Sequence, residues 1–103
     1  MKKTFKLIIN PFAELDLRLG YEFYELQKPG LGNDFINEVD VVLRRIEKSP
    51  LQFSQEKSNI RKALVNRFPF GIYFYLTEDI INVFAVFHFS RSPKKLSKRM
   101  RKR

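Results

Sequence analysis

The chain has 103 residues, no cysteine, a single histidine and a formal net charge of +9. That length suits one domain with one modest core, and the missing thiols exclude disulfides and thiolate metal sites, so neither metal nor cofactor is expected. No stretch is long and apolar enough to cross a bilayer, and the apolar run Leu7-Ile8-Ile9 is too short for a signal-peptide core, so the expectation is a cytoplasmic protein.

Thr4 to Ile9 reads as a short strand, with Phe5, Leu7 and Ile9 on one face. Asn10-Pro11 then gives a helix start, with Asn as cap and Pro at the first helical position. Ala13, Leu17, Tyr21 and Tyr24 recur at helical spacing, with Glu14, Asp16, Glu22 and Glu25 elsewhere on the cylinder. Lys28-Pro29-Gly30 ends that helix. A second runs from about Gly32 to Lys48 on the stripe Phe35, Val39, Val42 and Ile46, and Ser49-Pro50 stops it. The short break between the two favours an antiparallel hairpin.

After Pro50 the period becomes extended. Leu51 to Ser58 is polar enough to be a loop, Ile60 to Val65 reads as a strand, and Phe70 to Leu76 and Ile80 to Phe89 are long β-favouring runs around Thr77-Glu78-Asp79. The order β-α-α-β-β-β predicts an α+β fold, a helical hairpin packed on one face of a small, mainly antiparallel sheet. Residues 1–93 are read as the domain and 94–103 as a basic C-terminal tail. Residues 91–103 carry eight cations and no acid, a field that attracts nucleic acid, acidic proteins or anionic lipid.

A two-residue tip at Glu78-Asp79 would set Thr77 opposite Ile80, Tyr75 opposite Asn82, Tyr73 opposite Phe84, Gly71 opposite Val86 and Pro69 opposite His88. Alternation then gives one wholly apolar face, including Ile81, Val83, Ala85, Phe87 and Phe89, to lie under the helices. The other face would carry Tyr73, Tyr75, Asn82, Phe84, Val86 and His88, a mixed set that predicts a partly open surface or groove. A one-residue shift would send His88 to the opposite face. In the unshifted register, Arg61, Arg67, His88 and Arg91 gather at one end of the sheet, away from the helices. Guanidinium groups hold phosphate in a bidentate manner, and an imidazole can exchange a proton near neutral pH. Together they suit an anion, a phosphodiester in particular. Tyr73, Tyr75, Asn82, Lys94 and Lys95 are the candidates for contact with an anion or a protein partner.

The succession Ala13…Tyr24, Pro29-Gly30-Leu31-Gly32…Phe35, Ile46…Pro50, Ile60-Arg61, Arg67-Phe68-Pro69-Phe70…Ile72-Tyr73-Phe74 and Ala85-Val86-Phe87-His88…Arg91…Pro93 resembles the RelE/ParE superfamily of bacterial toxins, across about residues 4 to 93. The resemblance implies the toxin of a type II toxin–antitoxin, plasmid-stabilisation module, wrapped and neutralised by a cognate antitoxin. It implies one of two activities. ParE-like members inhibit DNA gyrase; RelE-like members are metal-independent endoribonucleases that cut messenger RNA in the ribosome. For the nuclease branch, Arg61 and Arg67 match phosphate-binding positions, and His88 stands where a last-strand proton donor would act, with Arg91 beside it. Phe89 departs from the tyrosine common at the end of the last strand of the nucleases, and only Lys57 and Lys62 precede the second strand of that group. The Pro-Gly-Leu-Gly link and the His-x-x-Arg-x-Pro ending are more like the ParE branch. The leading reading is a ParE-like gyrase inhibitor; the alternatives are a RelE-like ribosome-dependent nuclease and a non-toxic domain that only binds antitoxin or nucleic acid.

Overall fold

The computed structural model describes residues 4–91 and 93–101; residues 1–3, Ser92, Lys102 and Arg103 lie outside the described residues. The elements are β1 (Lys6–Ile9), α1 (Pro11–Gln27), α2 (Leu31–Lys48), a 3₁₀ turn (Pro50–Gln52), β2 (Ser54–Lys57), β3 (Ile60–Leu64), β4 (Phe70–Thr77), β5 (Ile80–His88) and α3 (Pro93–Arg101). The sheet order is β1-β5-β4-β3-β2, with β1 parallel to β5 and the remaining pairs antiparallel. This is the expected α+β arrangement with two additions. Ser54–Lys57 is an edge strand rather than loop, and Pro93–Arg101 in the basic tail is helical.

Local chemistry sets the helix ends. The Asn10 side-chain oxygen accepts the Ala13 N–H at 3.0 Å, with Pro11 at the first helical position. Gly30 adopts the left-handed region (φ 92°) that a turn between the helices requires. The Glu25 carboxylate then accepts the N–H groups of Gly30 and Gly32 at 3.0–3.1 Å, capping the start of α2 from the end of α1. The hairpin buries Ala13, Tyr24, Phe35, Val39, Val42 and Ile46 against Ile72, Phe74, Ile81, Val83 and Val86 of the sheet.

The β4–β5 register is the expected one from the tip as far as Phe74, which pairs with Val83; Tyr73 then pairs with Ala85, so Phe84 is the extra residue of a β-bulge. Beyond it every side chain changes face. Val86 and His88 lie on the helix side, and Ala85 and Phe87 on the outer face with Tyr73, Phe84 and Ile60. The sequence expectation placed Ala85 and Phe87 under the helices and Val86 and His88 away from them, so it is corrected for all four. The outer face is not an open groove at this end. Leu96 and Met100 of α3 pack on it, and Tyr73 and Phe84 are buried. Among the described residues no helix is long and apolar enough to cross a membrane.

Candidate functional site

The four residues expected to form one anion site divide between separate places. The Arg61 guanidinium donates to the Phe53 carbonyl at 2.6 Å, which ties β3 to the segment entering β2. Arg67, in the left-handed region at φ 73°, has its guanidinium 3.7 Å from Asp34 and 3.8 Å from Glu38 of α2. These arginines already have local partners, and neither meets His88. His88 and Arg91 do come together, on the helix side of β5 instead of the outer face. Of the other candidates, Asn82 donates to Thr77 Oγ1 at 2.7 Å and to the Tyr75 and Ile80 carbonyls, closing the hairpin tip. Tyr73 is buried on the outer face, and its burial pushes the phenol pKa up, with Lys62 lowering it and Glu56 raising it by smaller amounts. Tyr75 is half-buried beside Phe84. Lys94 and Lys95 are exposed on α3.

His88 and Arg91 meet along a cleft between α1 and the last residues of β5. β1 ends at Ile9, opposite Val83, so the β5 edge beyond Val83 has no neighbouring strand there. Exposed edge groups need other partners, and Asp16 supplies one. Its Oδ2 accepts the Val86 N–H at 2.9 Å and a hydrogen bond from Arg99, while Oδ1 lies 3.4 Å from the Arg91 guanidinium. Arg99 also donates to the Phe84 carbonyl at 3.3 Å. Asp16 is the buried charged residue of the described chain, only 5% exposed, and these contacts satisfy both carboxylate oxygens. Arg91 and Arg99 stack over the Phe87 ring, with guanidinium carbons 3.7 and 4.6 Å from its centroid. One buried carboxylate thus fastens α1, β5 and α3 together.

Two cavities adjoin this clamp and share Arg91. One, of about 290 Å³, is lined by the apolar Leu19, Phe23, Phe70 and Val86 together with Asp16, His88, Ser90 and Arg91. The other, of about 260 Å³, lies between Phe12 and Phe87, with Lys95, Lys98 and Arg99 around it. His88 Nδ1 accepts the Ser90 N–H at 2.9 Å, and the ring stands edge-on to Phe70 with centroids 5.2 Å apart. That hydrogen bond uses the Nδ1 lone pair, so the neutral imidazole carries its proton on Nε2.

Sequence reasoning missed Asp16, Arg99 and the outer stripe of α1. Phe12, Leu15, Leu19, Phe23 and Leu26 are all exposed, at spacings of three or four residues. That second stripe was visible in the sequence as a helical repeat beside the buried one. This apolar ridge is about 21 Å long by helix rise.

No family model matches the sequence, and no curated protein matches it. A solved structure described as the chromosomal ParDE TA system from P. aeruginosa is similar, with a TM-score of 0.75 and 17% identity, over 82% of this chain and 96% of that chain. At that identity the likeness establishes the fold, and it agrees with the RelE/ParE-like architecture expected from the residues.

Proposed function

We propose that the protein is the toxin of a type II toxin–antitoxin module, of the ParE-like kind that inhibits DNA gyrase, and that a cognate antitoxin neutralises it. The observation that carries this reading is the match to almost the full length of a chain from a ParDE system, joined to the sequence resemblance. The exposed ridge of α1, with the cations Arg91, Lys95 and Lys98 around its Phe12 end, supports an amphipathic, acidic antitoxin segment as the neutralising partner.

The partners of Arg61 and Arg67 count against messenger cleavage. A metal-independent nuclease needs several cations aimed at one phosphate, with a proton donor beside them. Here Arg61 holds a backbone carbonyl, Arg67 faces two carboxylates of α2, and His88 lies on the other side of β5 from Lys62. The test is induced expression with and without the neighbouring open reading frame, scored together for growth, gyrase-linked DNA breaks and messenger decay. Growth arrest with DNA breaks, relieved by the neighbouring product, is the expected result. Messenger cleavage by purified protein on programmed ribosomes would replace this reading with the nuclease, and normal growth on expression alone would replace it with the binding-only domain.

A further inference from the structure

We propose that two copies of this chain pair through the outer stripe of α1, antiparallel about a two-fold axis at Leu19. This goes beyond the toxin reading and does not depend on it. Phe12, Leu15, Leu19, Phe23 and Leu26 are between 41 and 90% exposed. They leave on the order of 600 Å² of residue surface per protomer and about 1,200 Å² for a pair, the lower bound of specific interfaces. A ridge of that size stands at the upper end of the apolar patches that monomers leave in water.

The stripe reads the same from either end. Its steps are 3, 4, 4 and 3 residues, symmetric about Leu19, and an isologous interface requires such self-complementarity. Leu19 then meets its own copy, Leu15 meets the partner's Phe23, and Phe12 meets the partner's Leu26, so every phenylalanine faces a leucine. At about 100° per residue, the buried Asp16 and Gly20 bound the stripe on one side and the exposed Arg18 and Glu22 on the other. A two-fold axis keeps like flank against like flank. Arg18 therefore lies two residues, about 3 Å along the axis, from level with the partner's Glu22, and the pair occurs twice by symmetry. Neither side chain has a partner among the described residues. The ends match as well. Phe12 lies beside Lys95, Lys98 and Arg99, with the Arg99 guanidinium carbon 5.4 Å from its ring centroid, while Leu26 lies among Glu22, Glu25 and Lys28. Antiparallel packing sets each cationic end on the partner's acidic end; parallel packing would bring the two α3 cation groups together. An anionic bilayer is the poorer occupant, because Glu14 and Glu22 stand along the exposed flank. Where the toxin reading holds, the antitoxin segment and the second copy take one ridge in turn, so neutralisation opens the pair.

Sedimentation equilibrium of the full chain, from about 1 to about 200 µM, reads the pairing; an interface of this size gives a Kd on the order of 10 µM. The expected result is a mass rising from 12.3 kDa to twice that value and no further. Leu19→Glu, at a half-exposed position, sets two like charges on the axis and should weaken pairing at least about 100-fold with the circular dichroism unchanged. The chain has no cysteine, so single replacements read the register. Leu19→Cys brings two thiols together at the axis and should form an intermolecular disulfide on mild oxidation. In Leu26→Cys, at the more exposed position, the two thiols stand about 21 Å apart along the axis and should not link. A mass of 12.3 kDa at every concentration, growth past two copies, an unaltered Kd for folded Leu19→Glu protein, or Leu26→Cys linking as fast as Leu19→Cys would each overturn the proposal.

Discussion

Replacing Asp16 with Ala should be among the most damaging single changes to this fold. Truncation leaves the buried Val86 N–H without its acceptor, a loss of about 1–3 kcal/mol. It also strands Arg99, whose side chain is 18% exposed, beside an empty site; breaking a buried pair from one side costs about 3–5 kcal/mol. Arg91, with a side chain 34% exposed, recovers hydration and adds little. Because both arginines can turn partly to solvent, the lower ends apply, about 4 kcal/mol in total. For a domain of this size that lowers Tm by roughly 16–32 °C. Asp16→Asn retains an oxygen for Val86 and should lose about half as much. Urea denaturation followed by circular dichroism measures both; the midpoint should fall with the slope unchanged. A loss below about 1 kcal/mol for Asp16→Ala would put the clamp in the class of exposed ion pairs and refute the reasoning.

Three further outcomes follow from the same coordinates. In Asp16→Ala, α3 should lose its anchor, so trypsin should cut at Lys94, Lys95 and Lys98 faster than in the parent chain while cleavage within α2 stays slow. Gly20→Ala should cost about 1–3 kcal/mol, because its Cβ would sit 2.7 Å from Phe35 Cε2, inside a packed ring cluster; a stability equal to that of the parent chain would show that Phe35 can move aside. Burial raises the phenol pKa of Tyr24 and of Tyr73. The folded state therefore keeps those protons after the unfolded chain has begun to lose them, and stability should fall as pH rises above about 10. Ultraviolet titration should show Tyr24 and Tyr73 ionising above the usual phenol range, and ionisation of either at the free-phenol value in the folded state would contradict its burial.

The fold was largely legible because its signals were local. Asn10-Pro11 marks a helix start by a missing donor and a side-chain acceptor, and the stripe from Phe35 to Ile46 has a polar opposite face to define it. α1 was read only by half. Apolar residues occur nearly all round it, so the buried stripe concealed the exposed one, and Asp16 passed for a surface acid because no local rule says that a strand edge 70 residues away needs an acceptor. β2 was missed because SQEK is polar on both faces, which is how an outermost strand protects its edge. For the site, the sequence supplied His88 and Arg91 but not their surroundings. Arg61 and Arg67 were grouped with them by strand parity, whereas Arg67 adopts a left-handed backbone and faces α2.

The bulge at Phe84 decides what the end of β5 does. Val83-Phe84-Ala85-Val86-Phe87 is apolar at every position, so hydrophobic pattern alone does not choose a parity, and neither register is penalised until His88. The choice is made by what lies beyond Val83. There β1 has ended, the strand must turn an N–H toward α1, and Asp16 is present to accept it from Val86. Adding one residue on the outer face puts Ala85 and Phe87 where Leu96, Met100 and the two arginines can cover them. It also turns His88 toward α1. The single imidazole thus reaches the cations of the tail by way of the helix side: Arg91 folds back across Phe87 to Asp16, and the two cavities open on either side of that crossing.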